Sequence, residues 1–147
     1  MYEPGNVLMV CLGNICRSPL AQGVFKKMSK KFNIEVDSAG VANYHSGYPP
    51  DKRSIYIAKK NGIDISMQKA RQINLGDFKK FDYVFVMDKQ NLHNVKDFTS
   101  NYKTNSIIRL LNDPYEIEDP YYGNEEGFEI VYDKIYQSCK RVLNNWK

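Results

Sequence analysis

Four short apolar runs punctuate the chain, at residues 7–10, 34–39, 83–87 and 107–111, each bounded by polar or turn-forming positions. Such brief, nearly unbroken runs suit strands buried on both faces, and the helical patterns between them are the crossovers a parallel sheet requires. After the first run, Leu20, Val24, Met28 and Phe32 recur at helical spacing. Ser18 and Pro19 precede them and predict a helix start, with Ser18 as N-cap and Pro19 in the first helical position. Pro49, Pro50 and Asp51 open a second helix through Ile55 and Ala58, and Asn61-Gly62 supplies its C-cap. Near the C-terminus, Phe128, Val131, Tyr132, Ile135, Cys139, Val142, Leu143 and Trp146 mark one face of a long amphipathic helix, which places Cys139 in the core. Residues 112–124 hold two prolines and a glycine without any period, and are expected to form a loop. The pattern predicts an α/β fold built on a parallel sheet, with residues 1–147 as one domain.

Composition narrows the function classes. With 42% hydrophobic and 26% charged residues, the chain is globular rather than disordered. The net charge of +4 suits an anionic ligand, but the pairs Lys26-Lys27, Lys30-Lys31 and Lys59-Lys60 read as solvated helix faces, so nucleic acid is not an expected partner. No run is long enough to span a membrane, and the first residues have no basic segment of the kind that opens a secretory signal. Three cysteines, Cys11, Cys16 and Cys139, are too few for a disulfide framework, and a cytoplasmic location is expected. His45 and His93 show no ligand spacing, and neither metal nor cofactor is expected.

The candidate chemistry lies in "VLMVCLGNICRSPLAQ", residues 7–22. In an open parallel sheet, ligands bind beyond the carboxyl ends of strands, where loops lead into helix N-termini. Cys11 ends the first strand, and Leu12, Gly13, Asn14, Ile15 and Cys16 form the loop that follows. Gly13 and Asn14 tolerate unusual backbone angles, Asn14 the left-handed region in particular, so the loop amides can turn inward on an anion. The helix dipole and the planar fork of Arg17 complete a phosphate cradle. The same positive field favours a thiolate at Cys11, and the Ser18 hydroxyl can donate to it. A nucleophile facing a phosphate cradle points to covalent phosphoryl transfer. Such a reaction needs an acid for the leaving oxygen, and Asp113 and Asp119 each begin an Asp-Pro-Tyr segment that spacing alone cannot separate.

The segment "VCLGNICRSP" resembles the signature of the low-molecular-weight protein tyrosine phosphatases. The resemblance extends through "DSAG" at residues 37–40, "PPDKRSI", "NGIDIS", "ARQI", "FDYVFVMD" and "DPYYG" at residues 119–123. It implies a three-layer domain in which helices cover both faces of a four-stranded parallel sheet. It also implies hydrolysis of phosphotyrosine and small aryl phosphates through a phosphocysteine, and favours Asp119 as the acid and then the base. Asn14 and Ser38 resemble the family's network supporting the loop. Tyr121 and Tyr122 would form an aromatic wall opposite Leu12 and Ile15. Tyr44 stands where relatives often carry tryptophan or another aromatic, a departure bearing on substrate preference. Cys16 has two open readings, a small packed loop residue or a partner for Cys11 in a reversible disulfide, the latter supported by the resemblance. The implied partner is a phosphotyrosine protein, with a tyrosine kinase among the candidates; the sequence leaves oligomeric state open.

Two rivals share parts of this pattern. An arsenate reductase of the same fold needs resolving thiols after the third strand, and residues 87–105 contain no cysteine. A silent phosphopeptide-binding module needs Arg17 and the loop amides but neither Cys11 nor Asp119. The larger tyrosine phosphatases place His before the nucleophile and Gly three residues after it, where this chain has Val10 and Asn14. No Gly-Lys-Ser/Thr follows the loop, which sets aside a nucleotide hydrolase.

Overall fold

Side chains alternate across the first strand, β1 (Val7–Cys11), and so divide the core in two. Val7, Met9 and Cys11 face one apolar cluster, and Leu8 and Val10 face the other. The computed structural model describes residues 3–147. Its further elements are α1 (Arg17–Met28), β2 (Val36–Gly40), α2 (Lys52–Lys60), α3 (Asp77–Lys80), β3 (Tyr83–Val86), α4 (Lys89–Phe98), β4 (Ile107–Leu110) and α5 (Glu125–Asn144). The four strands pair in parallel in the order β2-β1-β3-β4. Leu20 and Val24 of α1, Ile57 of α2 and Val131 and Ile135 of α5 cover the Met9 face, whereas Phe78 of α3 and Val95 of α4 cover the Leu8 face. The fold is the expected three-layer α/β arrangement.

Several boundaries differ from the sequence pattern, each for a packing reason. β2 starts at Val36 rather than Ile34, because pairing with β1 begins at Val7↔Val36. β3 and β4 each end one residue early, and Met87 and Leu111 continue into the core outside the ladder. Phe32 lies beyond α1 and Trp146 beyond α5, yet their rings meet edge to face with centroids 5.4 Å apart. Their apolar period reported burial rather than continued helix. α2 opens as expected, with the Asp51 side chain accepting from the Arg53 amide. Lys26, Lys27, Lys59 and Lys60 are exposed in the last turns of α1 and α2, where their charge complements the helix dipoles.

The larger correction concerns the start of α1. Ser18 is not its N-cap: Cys16 holds that position, and the helix already includes Arg17. The Ser18 side chain is buried and turned toward Cys11 and Asn14, so it is unavailable to the first-turn amides. The side chains of Asp51, Asp88 and Asn124 cap α2, α4 and α5, while no side chain caps α1. That leaves the positive end of α1 open to an external anion.

Candidate active site

The chain leaves β1 toward β2 on one side and later fills β3 on the other, which opens a crevice at the carboxyl ends of these strands. Cys11 ends β1 and Asp88 follows β3, so both stand at this crevice. Gly40 ends β2 directly beneath the intervening loop. A β-carbon there would lie 2.9 Å from the Leu12 carbonyl oxygen and 3.0 Å from that of Ala42, so only glycine permits the close approach.

Asn14 organises the loop from behind. Its backbone is left-handed, with φ of 59°, as its residue type suggested. Its Nδ2 donates to Ser18 Oγ at 2.7 Å and to Ser38 Oγ at 3.0 Å, and its Oδ1 accepts from the Arg71 amide at 3.0 Å. Ser38 passes its own proton to Gln22 Oε1 at 2.6 Å. With Asn14 donating into a lone pair of Ser18 Oγ, the Ser18 proton can point at Cys11 Sγ, 3.0 Å away, with the Ala39 carbonyl a longer second acceptor at 3.5 Å. In that orientation the hydroxyl donates to the sulfur.

Arg17 is only 2% exposed, an unusual burial for a guanidinium. Its Nη1 donates to Asp88 Oδ2 at 2.6 Å and to the Ile117 carbonyl at 2.9 Å, which fixes the plane of the fork. Burial opposes its charge, but Cys11, Asp88 and Asp119 outweigh that effect and hold the group more firmly protonated than a free arginine. Nη2 lies 3.5 Å from Asp119 Oδ2. The Asp119 Oδ1 accepts from the Tyr121 amide at 3.1 Å.

Cys11, Leu12, Gly13, Ile15, Cys16, Arg17, Tyr44, His45, Asp119, Tyr121 and Tyr122 surround one open cleft of about 120 Å³. The thiol of Cys11 forms its floor at 3% exposure, and Tyr44 and Tyr122 form its rim at 72% and 95%. Asn14, Ser18 and Ser38 are buried behind the loop rather than lining the cleft. Asp113 lies elsewhere, in a depression shared with Arg109, Arg141 and Asn145. Burial, with Asp51 nearby, pushes the Cys16 thiol well above its ordinary range, and burial does the same to Cys139 on α5. Both therefore remain protonated at neutral pH.

Several contributors escaped the sequence reading. Asp88, which orients Arg17, follows the third apolar run, where a strand-end acid in a parallel sheet is a recognisable signal. His45 forms part of the cleft wall, with its ring 6.2 Å from that of Tyr121, and only its proximity to Tyr44 in sequence hinted at this. Arg71 and Gln22 join the Asn14 network through contacts no local pattern announces. His93 is exposed on α4. No group of His, Cys, Asp or Glu suited to a metal ion occurs among the described residues, and no helix among them is long and apolar enough to cross a membrane.

Comparison with known proteins places this geometry. Residues 6–147 match the family model described as low molecular weight phosphotyrosine protein phosphatase. A human protein of that name is 45% identical over 148 residues, covering 94% of this chain and 93% of its own. The crystal structure of a Drosophila arginine phosphatase superposes with a TM-score of 0.90 at 33% identity, covering 95% of this chain and 96% of its own. That of Vibrio vulnificus Wzb in complex with benzylphosphonate gives 0.87 at 27% identity, covering 95% and 97%.

Proposed function

We propose a reaction for this chain, which belongs to the low molecular weight phosphotyrosine protein phosphatase family and is a phosphatase of that kind. Its substrates are phosphotyrosine proteins, and the whole of residues 1–147 serves as one catalytic domain. The observation that carries the mechanism is the convergence of a thiol floor, a buried arginine and an exposed carboxylate on one cleft.

The phosphoryl group of the substrate enters the loop between β1 and α1. The loop amides, the uncapped start of α1 and the Arg17 donors not used by Asp88 and Ile117 bind its oxygens. Cys11 Sγ attacks phosphorus as the thiolate, and the bond from phosphorus to the phenolic oxygen breaks. Asp119 gives its proton to that oxygen, so tyrosine leaves neutral and a phosphocysteine remains. Asp119, now ionised, takes a proton from water as the water oxygen attacks phosphorus. The bond from phosphorus to sulfur breaks, and the Ser18 hydroxyl stabilises the departing Cys11 thiolate. Leu12, Ile15, Tyr44, Tyr121 and Tyr122 provide apolar walls for an aryl ring. Benzylphosphonate, bound by the Vibrio relative, is an aryl ligand of this general shape.

The test is hydrolysis of para-nitrophenyl phosphate and a phosphotyrosine peptide in the presence of a chelator. Cys11→Ser is expected to lower kcat by about 10³-fold or more. Asp119→Asn should lower it by about 10²-fold, within the usual range for a lost general acid, while Asp113→Asn stays within about twofold. Loss with Asp113→Asn instead would overturn the acid assignment. A native chain that binds the phosphopeptide without turnover would be a recognition module.

A further inference from the structure

The loop that carries Asp119 is secured at its two ends by different means. On the N-terminal side, the Ile117 amide donates to the Met87 carbonyl at 2.8 Å, and Arg17 Nη1 donates to the Ile117 carbonyl. Beyond Asp119, the polar contacts of Tyr121 and Gly123 with elements outside their own loop, among the described residues, both come from Arg53. Its Nη2 donates to the Tyr121 carbonyl at 2.9 Å and its Nη1 to the Gly123 carbonyl at 3.1 Å. The guanidinium is itself held from below. Asp51 accepts from Nε at 3.0 Å and from Nη2 at 2.9 Å, and the Phe128 ring of α5 lies 4.4 Å from the guanidinium carbon. Four N–H bonds of one planar group are thus committed.

The base of this clamp touches the opposite wall of the cleft. The Asp51 amide donates to the Ile15 carbonyl at 2.8 Å, and Ser54 Oγ donates to the Cys16 carbonyl at 3.3 Å. The first turn of α2 therefore grips the loop around the thiol with one set of groups and the loop around the acid with another. The Tyr121 peptide transmits the grip, because its carbonyl accepts from Arg53 while its amide donates to Asp119 Oδ1.

We infer that Arg53 is a positioning residue that sets the distance of the Asp119 carboxyl from Arg17 and the Cys11 floor by fixing the Tyr121 peptide against α2. The inference rests on Asp119 acting as the acid. Arg53 stands outside the cleft lining and touches neither substrate nor reacting atoms. Its substitution should disturb protonation of the leaving group and leave phosphate binding intact. Lysine can replace it only in part, because a single ammonium cannot span Asp51 and two carbonyls at once.

The experiment is a double-mutant cycle of Arg53→Met and Asp119→Asn, read as kcat/KM on phenyl phosphate and para-nitrophenyl phosphate with orthovanadate inhibition alongside. Arg53→Met is expected to lower kcat/KM about tenfold on phenyl phosphate, whose leaving group most needs protonation, and less on the nitrophenyl ester. Orthovanadate inhibition should change less than about twofold, and in the Asp119→Asn background the Arg53 effect should vanish. Arg53→Lys, which keeps charge and most of the stem, gives the same readout at smaller amplitude if the methionine variant does not fold. Equal losses in both backgrounds, weakened orthovanadate inhibition, or unchanged kinetics in both Arg53 variants would overturn the inference. If Asp119→Asn alone leaves native activity intact, the acid assignment falls and the inference falls with it, a result the first limb of the cycle shows by itself.

Discussion

The loop around Cys11 and the loop around Asp119 face each other across 3.5 Å at the Arg17 to Asp119 contact, yet they are built oppositely. Asn14, Ser18 and Arg17 are almost wholly buried, and every polar side chain of that first loop is engaged from behind. In the second loop, Glu118, Asp119 and Tyr122 are exposed, and among the described residues the polar contacts that tie Tyr121 and Gly123 to elements outside the loop come from one side chain reaching over from α2. The difference suits the work that the proposed mechanism asks of each. A cradle for a doubly charged group gains most when its donors are fixed before the anion arrives, because no reorganisation is then needed in the transition state. An acid that must give a proton to one molecule and take one from another needs access to both solvent and substrate.

Lesions in the two loops should therefore separate. Arg17→Lys is expected to lower kcat/KM by about 10²-fold on every aryl phosphate and to weaken orthovanadate inhibition in parallel, since a point charge cannot keep both the Asp88 contact and the fork toward the anion. Steady-state kinetics with orthovanadate inhibition would show this, and a rate loss without weaker inhibition would make the cradle less arginine-dependent than its burial implies. Asn14→Ala should destabilise the fold by about 2 kcal/mol, measured by urea unfolding, because three hydrogen bonds are lost and alanine resists a positive φ. Asn14→Gly should recover about 1 kcal/mol of that, which isolates the backbone share.

The smallest effect concerns the tie between the loops. The hydrogen bonds from Arg53 hold the Asp51 carboxyl below its ordinary range. A lowered folded value means this contribution is complete above the unfolded value and is lost as pH falls through the folded one. The stability difference between the native chain and Asp51→Asn should be constant above about pH 5 and shrink steadily in more acid solution, as read from urea melts at stepped pH. A difference that persisted undiminished in acid would mean that the capping geometry, rather than the charge, holds the clamp.

Much of this was readable before any fold was known, because the relevant physics is local. Strand-length apolar runs, a thiol at the end of one of them, five loop residues, an arginine and the start of a helix already describe a parallel sheet with a candidate anion site at its first crossover. The left-handed backbone at Asn14 likewise follows from its residue type and position. Ser18 was misread as a cap for an instructive reason: a Ser-Pro pair announces a helix start, but a hydroxyl can bond only what surrounds it, and here Cys11 and Asn14 do.

What stayed hidden depended on contacts between distant segments. Spacing treats Asp113-Pro114-Tyr115 and Asp119-Pro120-Tyr121 alike, and although family resemblance favours the second, it is the path of the chain after β4 that sets Asp119 beside Arg17 and leaves Asp113 in a separate depression. Asp88 meets Arg17 from 71 residues away, and Arg53 meets the Tyr121 carbonyl from 68. The periodicity of a chain reports which of its faces are buried, and local residue types report which turns it can make. Which side chains share a buried space is settled only when the layers close, since hydrogen bonds and ion pairs have value according to the neighbours that packing supplies.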